Sequence, residues 1–153
     1  SCSLRLTNTI GPRMRIKDGR QAFLGLWIRL ILDGKPLEVW EGGQMRDLTY
    51  VDDAVEAFLL SAAAEEAYGQ AFNIGGVEVI SLEALAALLV KINGRGEYRI
   101  LPFPPERKRI DIGDYHADFS KIEAALGWRP KVAVADALDR TLSFYRRNLD
   151  RYL

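Results

Sequence analysis

The sequence predicts a mixed α/β fold, and three observations carry that prediction. Short apolar or alternating runs of strand length are interleaved with longer runs whose apolar residues recur at helical spacing. Glycine and proline punctuate nearly every junction between them. Two of the strands, Ser3–Thr7 and Gln70–Ile74, carry apolar residues suited to a larger sheet than about four short strands build.

Ser3–Thr7 alternates and reads as a strand, followed by a loop-like stretch from Asn8 to Gly19 containing Gly11-Pro12. Leu24, Trp27, Ile28, Ile31 and Leu32 lie on one face of a helix that Gly34 stops and Pro36 prevents from continuing. Leu37–Trp40 alternates as a strand, and Gly42-Gly43 turns the chain. Asp53 and Glu56 have the spacing of a helix capping box, and Val55, Phe58, Leu59 and Ala62 follow as an apolar stripe. After the strand Gln70–Ile74 and the turn Gly75-Gly76, Ser81 caps a helix with Leu82, Leu85, Ala86, Leu89 and Ile92 on one face, ended by Asn93-Gly94. Tyr98–Leu101 is a strand that Pro102, Pro104 and Pro105 keep short. Glu106–Asp111 is charged and exposed. Ser120 and Glu123 form a second capping box, opening a brief helix that Gly127 ends. The last helix carries Leu138, Leu142, Tyr145 and Leu149 on one face.

Composition narrows the function classes. With 153 residues, 48% of them hydrophobic, the chain is long enough for one domain with a core. Lysine plus arginine number 21, as do aspartate plus glutamate, so no global charge favours nucleic acid or an anionic membrane. A single cysteine, Cys2, rules out an intramolecular disulfide and fits a reducing, cytoplasmic setting. The apolar stretch Phe23–Leu32 is too short to span a bilayer and contains Arg29, and no signal peptide is visible. The chain opens on Ser-Cys-Ser-Leu, as a protein trimmed of its methionine or a chain cut from something longer would.

Several chemistries lack their residues. One histidine, His116, and one cysteine at the other end give no metal-ligand cluster. There is no G-x-S-x-G and no phosphate-binding G-x-x-x-x-G-K. Gly94-Arg95-Gly96 lacks a third glycine and precedes a strand, so it reads as a turn.

Four stretches together carry a resemblance: "LRLTNTIGPR" (Leu4–Arg13), "VWEGGQMRDLTYVDDA" (Val39–Ala54), "FNIGG" (Phe72–Gly76) and "DIGDYHADFSKIEAALGWRP" (Asp111–Pro130). In order and spacing they resemble the extended short-chain dehydrogenase/reductases, the NAD-dependent nucleotide-sugar epimerases and dehydratases. The family's glycine-rich loop and its Tyr-x-x-x-Lys pair do not occur here; none of the six tyrosines has a lysine four residues on. The resemblance therefore implies the C-terminal part of such an enzyme over residues 1–153: the end of a Rossmann-type fold, with one or two orphan parallel strands, plus a small mixed α/β substrate-binding domain. It implies UDP- or dTDP-sugars as ligands, a cofactor-binding N-terminal Rossmann domain as the missing partner, and no nucleic acid or membrane. NAD(P) would serve the complete enzyme without binding this chain tightly by itself, and no turnover is expected of the isolated chain. Two alternatives stay open: a stand-alone nucleotide-binding module, and a non-functional remnant or interaction fragment.

By the same resemblance, Arg46 contacts a nucleotide-sugar pyrophosphate, for which a planar guanidinium is suited because it engages two oxygens at once. The alternative is a surface arginine paired to Asp47 or Asp111. Asn8 matches a donor to the pyrophosphate; otherwise it is a turn residue. Trp40 matches a position where a ring lies against the base; otherwise it is core. Asp111 matches a carboxylate near the ribose hydroxyls. Lys108 stands where the family often has arginine, as a point charge for phosphate that Arg107 or Arg109 could replace; otherwise the run is a solvated cluster. His116 reads as structural. No catalytic or cofactor-binding residue is assigned.

Overall fold

Where the strands find their partners decides where the site can form. A computed structural model describes residues 1–19, 22–108 and 111–153. Seven strands and six helices follow one another along them. Strand β1 (Ser3–Leu6) pairs in parallel with β5 (Ala71–Ile74). Strand β4 (Met45–Tyr50) lies between β2 (Asn8–Ile10), which is parallel to it, and β6 (Val79–Ser81), which is antiparallel. Strand β3 (Leu37–Trp40) pairs in parallel with β7 (Tyr98–Leu101).

The helices divide the molecule into two packed regions. Helices α1 (Phe23–Leu32), α3 (Leu82–Asn93) and α6 (Val134–Asn148) bury Leu24, Ile28, Ile31, Leu85, Leu89, Leu138 and Leu142 in one core with Leu37, Val39 and Leu48. Helices α2 (Val51–Ala63) and α5 (Ser120–Leu126) close a smaller core over β1 and β5, built from Ala57, Phe72, Ile74, Ile122 and Trp128. One more helical turn, α4, spans Pro105–Lys108.

Several expectations need correction. Asn8 to Gly19 is not all loop: Asn8–Ile10 is a strand whose partner, Leu48–Tyr50, lies too far along the chain for local pattern to reveal. The α2 stripe is turned around. Val55, Phe58 and Leu59 are exposed, whereas Asp53, Ala54, Ala57 and Ser61 are buried, because α2 turns its small residues to the sheet. Asp53 does not cap α2 either. Its Oδ2 accepts from Lys131 N and Val132 N, both at 3.0 Å, and clamps the segment leading into α6. In α5 the cap is Phe119, and Asp118 Oδ1 accepts from Ser120 N at 2.8 Å. Those hydrogen bonds from Ser120 hold the Asp118 carboxyl below the usual aspartate range. Ser81 does cap α3, its Oγ accepting from Ala84 N at 3.1 Å, and Gly94 ends that helix at φ 75°.

The turn after β5 needs two glycines for reasons of space. A Cβ on Gly76 would lie 2.3 Å from Leu48 O and 2.9 Å from Leu48 N, both backbone atoms of β4. Gly76→Ala is expected to cost about 1–3 kcal/mol or more. Thermal melts check this against Gly43→Ala, where nothing lies within 4 Å of an added Cβ. Equal melting temperatures for the two variants would refute the close approach.

Candidate functional site

The first three residues of β4 fasten one irregular segment, residues 111–117, against the sheet. Met45 N donates to Asp114 Oδ1 at 2.9 Å, and Tyr115 N donates to Met45 O at 2.9 Å. Arg46 Nη1 donates to Met45 O at 2.8 Å and to Gly113 O. Asp47 Oδ2 accepts from Ala117 N and from Gly76 N, each at 3.1 Å. Arg46 pairs with Ile80 of β6 on one edge and bridges to Tyr115 on the other. The segment therefore lies along the same edge of β4 that carries β2.

Register brings three of the anticipated residues into one neighbourhood. Asn8 sits opposite Leu48, two positions from Arg46, so Asn8, Leu48 and Arg46 share one face of the sheet. Asp111 Oδ1 lies 3.9 Å from Arg46 Nη2, an ion pair beyond hydrogen-bond length. Arg46 is not a surface arginine: its side chain is 8% exposed, against 23% for that of Asp111. Asn8 is not a turn residue, since it opens β2, and its side chain makes no hydrogen bond among the described residues.

The donors of Arg46 are only partly used. A guanidinium has five N–H groups in a planar fork. The two on Nη1 go to Met45 O and Gly113 O. Nη2 and Nε make no hydrogen bond among the described residues. Three other polar atoms there are sealed from solvent without a partner: Gln44 Oε1, Asp47 Oδ1 and Ser61 Oγ. The spare Arg46 nitrogens are not among them and keep access to solvent. A nearly buried cation with three unspent donors in one plane is equipped to take two oxygens of an anion.

Trp40 and Lys108 form a second group at the end of the β3–β7 pair. The Trp40 ring meets Phe103 at a centroid distance of 5.5 Å and a tilt of 60°. Trp40 is half-buried, at the margin of the core. Lys108 Nζ donates to Glu41 Oε1 at 2.6 Å. Glu41 holds φ 57°, and Gly42 N donates to Trp40 O across it at 2.7 Å, a γ-turn of the rare, strained hand. Such a backbone costs about 1–3 kcal/mol, while an ion pair with side chains 62% and 46% exposed contributes about 0–1 kcal/mol. Asp111 N donates to Lys108 O at 3.4 Å, which links the two groups. Of the charged run, Arg109 lies outside the described residues and only the backbone of Arg107 is described. His116 is exposed.

The sequence motifs singled out Arg46 and Asp111 and gave no separate role to Gly113 and Asp114. The latter two act through a carbonyl and a backbone contact, which no residue pattern announces. Glu41 stands where the resembled family often has glycine, and the residue pattern assigned it no role.

A dinucleotide calls for a glycine-rich turn between a strand and a helix. No such turn occurs among the described residues: β4 passes into α2 through Tyr50-Val51, and the N-terminus of α3 is closed by Ser81. No tyrosine has a lysine positioned four residues on. Burial pushes the Tyr145 phenol up to about 12, with Tyr152 nearby adding to the effect, and its hydroxyl donates to Met14 O. No group of His, Cys, Asp and Glu could hold a metal among the described residues, and no helix there is long and apolar enough to cross a membrane.

Comparison with known proteins identifies the family that the chain is similar to. Residues 1–75 match the model of the NAD dependent epimerase/dehydratase family. A dTDP-glucose 4,6-dehydratase of Actinoplanes is 34% identical over 146 residues, covering 94% of this chain and 43% of the relative. A UDP-glucose 4-epimerase of Mycolicibacterium smegmatis is 30% identical over 144 residues, covering 91% and 43%. The crystal structure of UDP-glucose 4-epimerase with UDP-glucose from Thermotoga maritima superposes with a TM-score of 0.80 at 31% identity, covering 95% of this chain and 46% of that one. The chain thus has the mixed α/β, parallel-sheet architecture of these Rossmann-type enzymes and spans less than half the length of each.

Proposed function

We propose that this chain, which belongs to the NAD dependent epimerase/dehydratase family, forms the nucleotide-sugar-binding part of such an enzyme. The observation that carries the reading is Arg46: nearly buried, fixed by two carbonyls, with three donors left for a ligand. Arg46 grips the pyrophosphate, Asn8 donates from the adjoining strand, and Asp111 accepts from ribose hydroxyls. Trp40 offers a ring to the base and Lys108 a point charge to phosphate. The ligand is a UDP- or dTDP-sugar, the substrate class in the names of the relatives. Cofactor and hydride chemistry belong to a portion outside these 153 residues. The outward face of α2, with Val55 48%, Phe58 51% and Leu59 66% exposed, is where we place that portion.

Amide spectra recorded with UDP-glucose and dTDP-glucose test the reading. Resonances of Asn8, Arg46 and Asp111 are expected to shift saturably, and the tighter ligand identifies the base. A dispersed spectrum that stays unchanged at millimolar concentrations of both would refute it.

A further inference from the structure

The strained turn at Glu41 puts a carboxylate where the site needs positive charge. Glu41 is tied by its own N–H to Leu101 O at 2.9 Å, so its backbone is fixed at the end of the β3–β7 pair. From there its side chain meets Lys108 Nζ at 2.6 Å. Asp111 N donates to Lys108 O at 3.4 Å, and Asp111 faces Arg46. Among the described residues, two cations, Arg46 and Lys108, thus each face a carboxylate, Asp111 and Glu41. A phosphate reaching for Lys108 competes with the Glu41 carboxylate that already holds it. The exposed ion pair does not offset the strain of the turn that forms it, so stability does not explain a glutamate at this position.

We propose that Glu41 is an inhibitory counter-ion for the phosphate site: it occupies Lys108, and a ligand phosphate gains Lys108 only by displacing it. This deepens the nucleotide-binding reading and rests on it for the ligand. The displacement is an exchange of one anion for another on the same ammonium group, with no covalent step. It makes Lys108 selective for ligands carrying more than one negative charge, because a weak anion does not compete with a carboxylate already in place.

The test is a titration of the full chain with UDP, uridine and inorganic pyrophosphate, following the side-chain resonances of Lys108. Glu41→Gln keeps the size of the side chain and removes its charge. It is expected to tighten UDP and pyrophosphate about two- to fivefold and leave uridine unchanged. The gain is expected to vanish in the Glu41→Gln, Lys108→Gln double variant, as coupling through one contact requires. Glu41→Gly removes the charge and relieves the turn together, so its comparison with Glu41→Gln separates backbone from charge, and it is expected to show the same gain. Unchanged or weaker phosphate affinity in Glu41→Gln overturns the proposal, and so does a gain that survives loss of Lys108. The two readings fail differently. If UDP is ignored while the pyrophosphate gain persists, the nucleotide reading falls and the counter-ion stands. If UDP binds through Arg46 with no effect of Glu41, the reverse holds. If no variant binds either anion, both fall.

Discussion

Arg46→Ala is expected to weaken binding of a UDP- or dTDP-sugar by about ten- to a hundredfold. Hydrogen bonds to charged groups contribute about 1.5–3 kcal/mol each in net terms, which sets that range. The prediction follows from the accounting of donors. Nη1 is spent on Met45 O and Gly113 O, leaving Nη2 and Nε for ligand oxygens. Arg46→Lys separates fork from charge: it keeps a cation and loses the planar pair of donors, so it is expected to recover only part of the affinity. Because Arg46 also holds Gly113, each variant needs a thermal melt beside its titration. A folded Arg46→Ala chain with the parent's affinity would remove Arg46 from the site.

Trp128→Ala is expected to destabilise the chain by about 3–5 kcal/mol, the range for truncating a buried aromatic side chain. Trp128 is 1% exposed in the smaller core, edge-on to Phe119 at a centroid distance of 5.9 Å. Its Nε1 donates to Asp53 O at 3.0 Å, so truncation also breaks a buried link to α2. For a chain of this length each kcal/mol lowers the melting temperature by about 2–4 °C, so a fall of roughly 10 °C is expected. Trp40→Ala provides the contrast. Trp40 is half-buried against Phe103, and its loss is expected to cost less in stability and more in nucleotide affinity. Equal melting temperatures for the two tryptophan variants would contradict this division.

Legibility in the sequence followed the range of the forces involved. Strands β3 and β7 were readable to their end residues, because alternation and flanking Gly or Pro are local signals. The cap and stop of α3, Ser81 and Gly94, were readable for the same reason. Strands β2 and β6 were not: three residues each, they exist by virtue of partners on β4. The inner face of α2 was misread because bulk suggested Phe58 and Leu59, while close approach to the sheet selected Ala54, Ala57 and Ser61. In the site, the motif around Arg46 and Asp111 was legible. The contacts that orient Arg46 were not, because they are backbone atoms of a distant segment.

The three parallel strand pairs have a consequence in time. Ser3 waits for Ala71, Asn8 for Leu48 and Leu37 for Tyr98, so each pair closes a loop of about 40–70 residues. Chain entropy is lost before any of these ladders returns energy, which places the chain among slow folders. On a ribosome, β1 would emerge well before its partner β5, while α1 and α3 could form as soon as they were made. The segment that brings Asp111 to Arg46 comes later still, so the anion site forms only after that segment has been made.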